Sequence, residues 1–353
     1  MADGITIPSD PAMRAFALAF VCCLPAQDSR PEAQVLFPDF GQKLEQPRAA
    51  VAADGAGEFS APTVARAVPD IAVGLRRGPR VAVTDQAIVV SYMESRFDGK
   101  KSHGSRDLLV LRSTDRGQTW SLPKRVNSVE HSAAEGLHSL AATRGGKVGV
   151  LWLDPRGEPK GMKLWFAESK DDGASFGPDA VVYRSPSGAV CECCHPSLAY
   201  GADGLPVALW RNSLAGDRDL FVATSTPAKP LSDIKPAGQG HWKLAGCPMD
   251  GGDLALADGK PITIWRRESQ VFVSRRVGEE EKLGDGEQPA LAIGPRGAFA
   301  AWQEGAQLVA RDLEVGSKKR VLGPGAWPVA IATGEVFAER HEGERIRLVR
   351  LGG

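Results

Sequence analysis

The stretch 138–176 reads HSLAATRGGKVGVLWLDPRGEPKGMKLWFAESKDDGASF, and it combines two sequence patterns that return elsewhere in the chain. Apolar and polar residues alternate over 138–152 on either side of a glycine turn, which is the pattern of two half-buried strands in a hairpin. A third strand-like run, KLWFAES (163–169), follows a polar loop. The stretch ends in a segment rich in Asp, Gly and Ser, which is typical of a tight turn.

The hairpin pattern occurs six times, over residues 80–92, 138–152, 195–210, 252–265, 288–302 and 327–339, and another strand-like run follows each copy. One such repeat cannot bury both of its faces, so consecutive copies are expected to stack. We therefore predict an all-β fold, a six-bladed β-propeller, over residues 60–353. The last copy ends after about three strands, so an N-terminal strand from 61–68 or 34–40 is expected to close the last blade and cover the sheet edges.

Two turns sharpen this prediction. Residues 113–120 (STDRGQTW) and 169–176 (SKDDGASF) both match S-x-D-x-G-x-[ST]-[WF]. The pattern resembles the Asp-box of the sialidase-like (BNR-repeat) six-bladed propellers, and the resemblance covers roughly residues 60–353. It implies that these turns join third and fourth strands, with the Asp accepting backbone N–H bonds, the Gly at positive φ and the aromatic side chain between sheets. The third repeat carries STPAKPLSD (225–233) instead.

The resemblance also implies a catalytic set: three arginines for a substrate carboxylate, a Tyr nucleophile paired with a Glu, and an acidic loop residue. The tyrosines of this chain are Tyr92, Tyr183 and Tyr200, and none lies beyond residue 200, in the C-terminal part of the chain where the family places its nucleophile. The Arg-Ile-Pro signature of the first arginine is absent from the sequence as well. The chain therefore departs from the sialidase pattern at the positions where catalysis is expected.

Composition and charge exclude other classes. Lys plus Arg and Asp plus Glu both number 43, without a basic block, so no nucleic-acid partner is expected. No apolar run reaches the ~20 residues of a membrane span. Residues 13–27 (MRAFALAFVCCLPAQ) have the shape of a signal peptide. We predict a signal-peptide region over 1–27, with Met13 as an alternative start, a lead-in over 28–59, and a periplasmic or secreted monomer.

Four cysteines remain after the predicted cleavage. Propeller loops that enter the first strands of neighbouring blades share one face, which places these cysteines with two histidines. Thiolate and imidazole groups suit a soft metal, copper first and zinc as the alternative. The predicted ligand pool is Cys191, Cys193, Cys194, His195, Cys247 and His138. A disulfide from Cys191 or Cys193 to Cys247 is the competing prediction, and the two can coexist.

Charged side chains on the same face suggest a ligand. Arginines follow the second strand of most repeats, and guanidinium groups bind anions in a bidentate manner, so Arg96, Arg156, Arg211 and Arg266 are predicted to bind a small anionic molecule or an acidic glycan. Trp210 is expected either to pack in the core or to stack on that ligand. The predicted catalytic acids are Glu135, Asp154 and Asp250.

Three functions follow from these residues. The first is a metal-dependent, copper-containing oxidoreductase or metal-binding protein that acts on an anionic small molecule or glycan. The second is a sialidase-like exo-glycoside hydrolase. The third is a non-catalytic propeller that binds a glycan or a protein.

Overall fold

The computed structural model describes residues 65–68, 71–72, 76–95, 105–186, 188–294, 297–314, 316–325 and 328 with their side chains, and the segments 5–6, 17–18, 47–49, 63–64, 330–332, 336–342 and 345–350 by their backbone. Every regular element in this part of the chain is a β-strand, as the composition predicts. It therefore contains no helix long and apolar enough to cross a membrane. The predicted leader and lead-in lie outside the described residues, apart from three short backbone segments.

The strands fall into seven sheets. A small sheet near the N-terminus contains β2 (Ala17–Leu18), β3 (Pro47–Ala49) and β4 (Thr63–Val64). The first large sheet contains β5 (Arg80–Val83), β6 (Ile88–Ser95), β7 (Arg106–Ser113) and β8 (Lys124–Arg125). The second contains β9 (His138–Ala142), β10 (Val148–Asp154), β11 (Lys163–Ser169) and β12 (Ala180–Arg184).

Four more large sheets follow along the chain. The third contains β13 (Ala189–Val190), β14 (Ser197–Tyr200), β15 (Pro206–Ser213), β16 (Leu220–Thr226) and β17 (Lys229–Pro236). The fourth contains β18 (Gly252–Ala257), β19 (Lys260–Arg267), β20 (Gln270–Ser274) and β21 (Glu281–Asp285). The fifth contains β22 (Glu287–Gly294), β23 (Gly297–Glu304), β24 (Gln307–Asp312) and β25 (Arg320–Pro324). The sixth contains β26 (Ala330–Ala332), β27 (Val336–Glu342), β28 (Arg345–Arg350) and β1 (Ile5–Thr6).

All six predicted hairpins form, and each is the pair of first and second strands of a large sheet. In these sheets neighbouring strands pair antiparallel and follow chain order, except that β13 and β14 both pair with β15 in the third sheet and β1 pairs with β28 in the sixth. The outer edge of β28 pairs with β1, at Ile5 and Thr6. The predicted partner segment 61–68 instead contributes β4, which pairs with β3, and the alternative segment 34–40 lies outside the described residues.

The first strands lie at the inside of the assembly. β5 contacts β9, β9 contacts β14, and the series continues through β18 and β22 to β26. Apolar side chains fill the spaces between successive sheets: one cluster joins the first two sheets, and others join the second to the third, the third to the fourth and the fourth to the fifth. Trp152, Trp210, Trp265 and Trp302 each belong to one of these clusters, so of the two roles predicted for Trp210 the structure shows core packing.

Both Asp-box turns adopt the predicted geometry between third and fourth strands. The Asp171 carboxylate accepts hydrogen bonds from the Ser175 backbone N–H (2.8 Å), the Ser175 hydroxyl (2.6 Å) and the Ser169 hydroxyl (2.7 Å). Gly173 has φ of 77°, and a Cβ there would lie 3.0 Å from a methyl group of Val89 in the neighbouring sheet. Phe176 packs into the cluster between the first two sheets. The box therefore ties one sheet to the next.

Candidate functional site

Three of the predicted metal ligands come together in one buried cluster. The Cys191 sulfur lies 3.7 Å from the Cys193 sulfur and 3.6 Å from the Cys194 sulfur, and the three sulfurs lie within 4.8 Å of one another. Their side chains are buried, whereas Cys247 is exposed. All four are free thiols in the structure, so the predicted disulfide stays a prediction. Met249 packs against the cluster.

The pKa values of these thiols are shifted in opposite directions. Hydrogen bonds from the Cys193 and Cys194 thiols lower the pKa of Cys191 to about 3, with the Cys193 backbone N–H and the Arg218 charge acting in the same direction. Burial raises the pKa of Cys194. The contact with Cys193, together with partial burial, raises the pKa of Cys247 to about 11. One thiolate supported by two neighbouring thiols is therefore the expected state of the free cluster.

The two predicted histidine ligands lie elsewhere. Burial lowers the pKa of His138 to about 3, and the His138 Nε2 lies 2.8 Å from the Ser91 hydroxyl. Burial, with the charges of Arg76, Arg80 and Arg211, also lowers the pKa of His195. Neither imidazole belongs to the group of side chains within 4.8 Å of the three sulfurs, so the described structure brings together thiols and not a mixed thiol and imidazole set.

The predicted catalytic acids are all occupied by neighbours. Glu135 forms an ion pair with Arg77 at 3.1 Å. Asp154 is fully buried and forms an ion pair with Arg156 at 3.1 Å, and burial raises its pKa. Asp250 is 1% exposed, and its Oδ2 accepts the Gln288 backbone N–H at 2.8 Å.

Burial raises the pKa of Asp250, whose Oδ1 has no hydrogen-bond partner among the described residues. A carboxyl group in this setting is stabilised in its protonated form.

Two of the predicted anion-binding arginines are engaged by acidic groups. Arg156 donates to the Ser128 hydroxyl at 2.9 Å, pairs with Asp179, and stacks 3.6 Å above the centre of the Trp165 ring. Arg266 forms an ion pair with Glu287 at 3.1 Å. Arg96 lies outside the described residues.

Arg211 is engaged differently. Its side chain is 1% exposed and donates to four backbone carbonyls, those of Asp250 (3.0 Å), Arg218 (2.5 Å), Arg266 (2.9 Å) and Gly251 (3.5 Å). Because the Arg211 guanidinium already donates its N–H groups to these carbonyls, it supports the fold and is not an open site for an anion. Trp210, the predicted stacking residue, is likewise 1% exposed, with its ring centre 5.0 Å from that of Tyr183.

Arg211 also contributes to the lining of a cleft of about 330 Å³, a volume within the range of small-ligand sites. It lies between the third and fourth sheets, lined by the β15–β16 connection, the segment after β17 and the end of β19. Its apolar floor includes Leu220, Phe221, Pro236 and Trp265. Its polar wall carries Asp217, Arg218, Asp219 and His241.

The polar wall has a defined arrangement. Asp219 accepts hydrogen bonds from His241 Nδ1 (2.7 Å) and from the Trp242 backbone N–H (2.9 Å). The Asp219 carboxylate raises the pKa of His241. Oxygens of Asp217 and Asp219 and a ring nitrogen of His241 all lie within 4.8 Å of one another, and Oδ1 of Asp217 is buried without a hydrogen-bond partner among the described residues.

Arg218 differs from the other arginines of this face. Its Nε is buried without a hydrogen-bond partner in the described part of the chain, and no carboxylate there forms an ion pair with it. Arg267, on the opposite wall, is held by both oxygens of Glu280 at 2.7 and 2.9 Å. Arg218 is therefore an arginine of the cleft lining to which the described residues supply no carboxylate partner.

Sequence reasoning did not predict this cleft. Asp217, Asp219 and His241 are not among the residues that the sequence analysis predicts to be functional. One feature of the sequence does point to the cleft. The tripeptide Asp217-Arg218-Asp219 lies in a connection between a second and a third strand, on the same face as a histidine that follows the fourth strand. Their proximity depends on the backbone bridge between Asp217 and Lys243, which joins segments far apart in the sequence.

The sequence matches no protein-family model and no curated protein. Solved structures do match the fold. A Hadza microbial sialidase, Hz136, is 13% identical with a TM-score of 0.52, over 90% of this chain and 76% of that one. The sialidase of Trypanosoma rangeli is 13% identical with a TM-score of 0.49, over 88% and 57% of the two chains. An α-L-arabinanase of Penicillium chrysogenum is 14% identical with a TM-score of 0.46, over 86% and 84%.

The fold is that of the sialidase-like propellers. The Asp-boxes, the meander sheets and the chain of inner strands all agree with this assignment. At 13% identity the similarity concerns the course of the backbone. The chemistry of this chain therefore has to be argued from its own side chains.

Proposed function

We propose that this protein is a glycoside hydrolase-like propeller that takes an anionic sugar into the cleft between its third and fourth sheets. The observation that carries the proposal is the polar wall of that cleft, where Arg218, which has no carboxylate partner among the described residues, stands between Asp217 and Asp219. A guanidinium binds a sugar carboxylate, paired carboxylates cleave a glycosidic bond, and an apolar floor supports a sugar ring.

The two acids differ in environment, which assigns their roles. Asp219 accepts bonds from His241 and the Trp242 N–H, so its anion is supported and it acts as nucleophile. Asp217 has a buried oxygen without a partner in the described structure, so it acts as the general acid and then base. Retaining glycosidases hold their carboxyl groups about 5–5.5 Å apart. The separation here, with oxygens within 4.8 Å, favours hydrolysis with retention of configuration.

Two finer features belong to the same proposal. The six large sheets form a six-bladed ring, and the protein works outside the cytoplasm, as the apolar segment 13–27 suggests. The sialidase Hz136 shares the fold, which supports glycoside chemistry over the copper oxidoreductase predicted from the cysteines. Metal binding by those cysteines is a separate question.

The test is hydrolysis of fluorogenic glycosides of sialic acid, glucuronic acid and arabinose, with a neutral glucoside for comparison, in the presence of a chelator. Activity should fall by at least ~1,000-fold in Asp217→Asn and Asp219→Asn. Arg218→Met should raise KM for acidic sugars alone, and Arg276→Met, an exposed arginine elsewhere, should change nothing.

Two results would contradict the proposal. The first is loss of turnover in Asp250→Asn together with normal turnover in Asp217→Asn and Asp219→Asn. That result would place the catalytic site at Asp250 and not in the cleft. Sugar binding without turnover of any glycoside would assign the protein to the non-catalytic class.

A further inference from the structure

The three buried cysteines have the spacing of metal ligands. Sulfurs bound to one tetrahedral zinc at about 2.3 Å stand roughly 3.8 Å apart. In the structure the Cys191 sulfur is 3.7 Å from that of Cys193 and 3.6 Å from that of Cys194. The third pair is also within 4.8 Å. A thiophilic ion therefore fits among the sulfurs with little backbone movement.

A fourth sulfur stands at the open side of this cluster. Cys247, in the segment before β18, contacts Cys193 and is exposed. Its sulfur is not in the group of three that lie within 4.8 Å of one another, so it has to move toward an ion that enters beside it. The buried Nδ1 of His195 has no hydrogen-bond partner in the described residues, but it faces Gly251, where a Cβ would lie 2.6 Å from it. Sulfur is therefore the better supported fourth ligand.

We propose that Cys191, Cys193, Cys194 and Cys247 bind one thiophilic metal ion in an all-sulfur site. All-sulfur sites suit monovalent copper and zinc and disfavour calcium, magnesium and manganese. Arg211 and Arg218 lie close enough to offset part of the thiolate charge. The ion joins the loop between β13 and β14 to the segment between β17 and β18.

The competing outcome is a disulfide. Cys193 and Cys194 are adjacent in sequence, and a bond between adjacent cysteines is strained. A bond between Cys193 and Cys247 would leave Cys191 and Cys194 as a two-thiol remnant, too few for a closed site. Metal binding by the reduced protein separates the two outcomes.

The experiment uses the full chain with Cys22 and Cys23 replaced by serine, so that only the four cysteines of the site remain, reduced and stripped of metal. Zinc is titrated against a chromogenic chelator, cuprous ion against bathocuproine disulfonate, and cobalt(II) reports geometry through its visible absorption. We expect one equivalent of metal, an intense tetrahedral cobalt spectrum, and protection of the four thiols from alkylation. The tighter of the two competitions identifies the ion.

Variants locate the site. Cys193→Ser should weaken binding by more than the roughly 10–100-fold that loss of an outer partner costs. Cys247→Ser should keep weaker binding and lose the tetrahedral cobalt spectrum. Glu192→Gln, an exposed residue between the ligands, should bind as the parent does.

The proposal is overturned if the reduced parent protein binds neither ion and its thiols alkylate at one rate with or without metal. It is equally overturned if Cys193→Ser binds as tightly as Glu192→Gln. The parent measurement requires no variant to fold, and no readout depends on glycoside turnover.

Discussion

Arg211 provides the sharpest test of how this face is built. The sequence predicts an anion-binding arginine, whereas the structure shows a buried guanidinium that holds four backbone carbonyls. The carbonyls come from residues 7 to 55 positions away in the chain, so the side chain joins the third sheet to the entry of the fourth. Replacing Arg211 by Met keeps most of its volume and removes all of these donors.

The size of the effect follows from the contacts. Each hydrogen bond to a charged group contributes up to ~1.5–3 kcal/mol, but carbonyls have two lone pairs and some keep other partners, so about 1 kcal/mol per contact is a conservative value. Four contacts give a loss of about 4 kcal/mol in the free energy of unfolding. At roughly 2 °C per kcal/mol for a chain of this size, the Tm should fall by about 8 °C.

Thermal unfolding by circular dichroism measures this effect, with Arg276→Met as the matched control. Arg276 is 79% exposed, so the same chemical change there should shift the Tm by less than ~1 °C. A Tm for Arg211→Met equal to that of the control would refute the argument. It would mean that the guanidinium does not support the fold and is free to serve as the anion site that the sequence predicts.

Three further predictions concern stability. Asp171→Ala removes three hydrogen bonds of an Asp-box and should lower the free energy of unfolding by about 1–2 kcal/mol, whereas the exposed neighbour Lys170→Ala should not, as urea midpoints will show. The pKa of His138 falls from 6.5 to about 3 on folding, so stability should decrease as pH falls below 6.5, by about 2 kcal/mol at pH 5 from this residue. His138→Asn should reduce the slope and leave the part that comes from His195, whose pKa burial also lowers, and a slope equal to that of the parent would contradict this. Gly251→Ala would place a Cβ 2.3 Å from the His195 carbonyl oxygen and should cost about 1–3 kcal/mol, whereas Gly246→Ala has no neighbour within 4 Å and should leave the Tm unchanged.

Local patterns predicted the strands well. Alternation of apolar and polar residues along one segment identifies a half-buried strand, and all six predicted hairpins form. The Asp-box turns are equally local, because residues two to four positions apart make their hydrogen bonds. The core positions of Trp152 and Trp210 follow from the same periodicity.

The partners of charged side chains were not predictable in this way. The sequence places Arg156 and Arg266 correctly at the ends of second strands, but it does not reveal that Asp179 and Glu287 reach them. Each partner is 21 or more positions away and is set by how the sheets pack. Arg218 lies between Asp217 and Asp219 in the sequence, and its lack of a carboxylate partner among the described residues is likewise set by the fold.

Backbone hydrogen bonds connect the segments that line the cleft to the segments that carry the cysteines, and this links the two proposals. The Arg218 backbone N–H donates to the Trp242 carbonyl at 2.8 Å, which aligns the segment that carries Asp217 and Asp219 with the segment that leads to Cys247. The Cys191 N–H donates to the Arg211 carbonyl at 3.0 Å on the other side. An ion held by the sulfurs would fix both segments, so it would order the carboxylates of the cleft without touching a substrate. If the proposed function holds, metal bound there would act on KM and stability, whereas substitution of Asp217 or Asp219 would lower kcat.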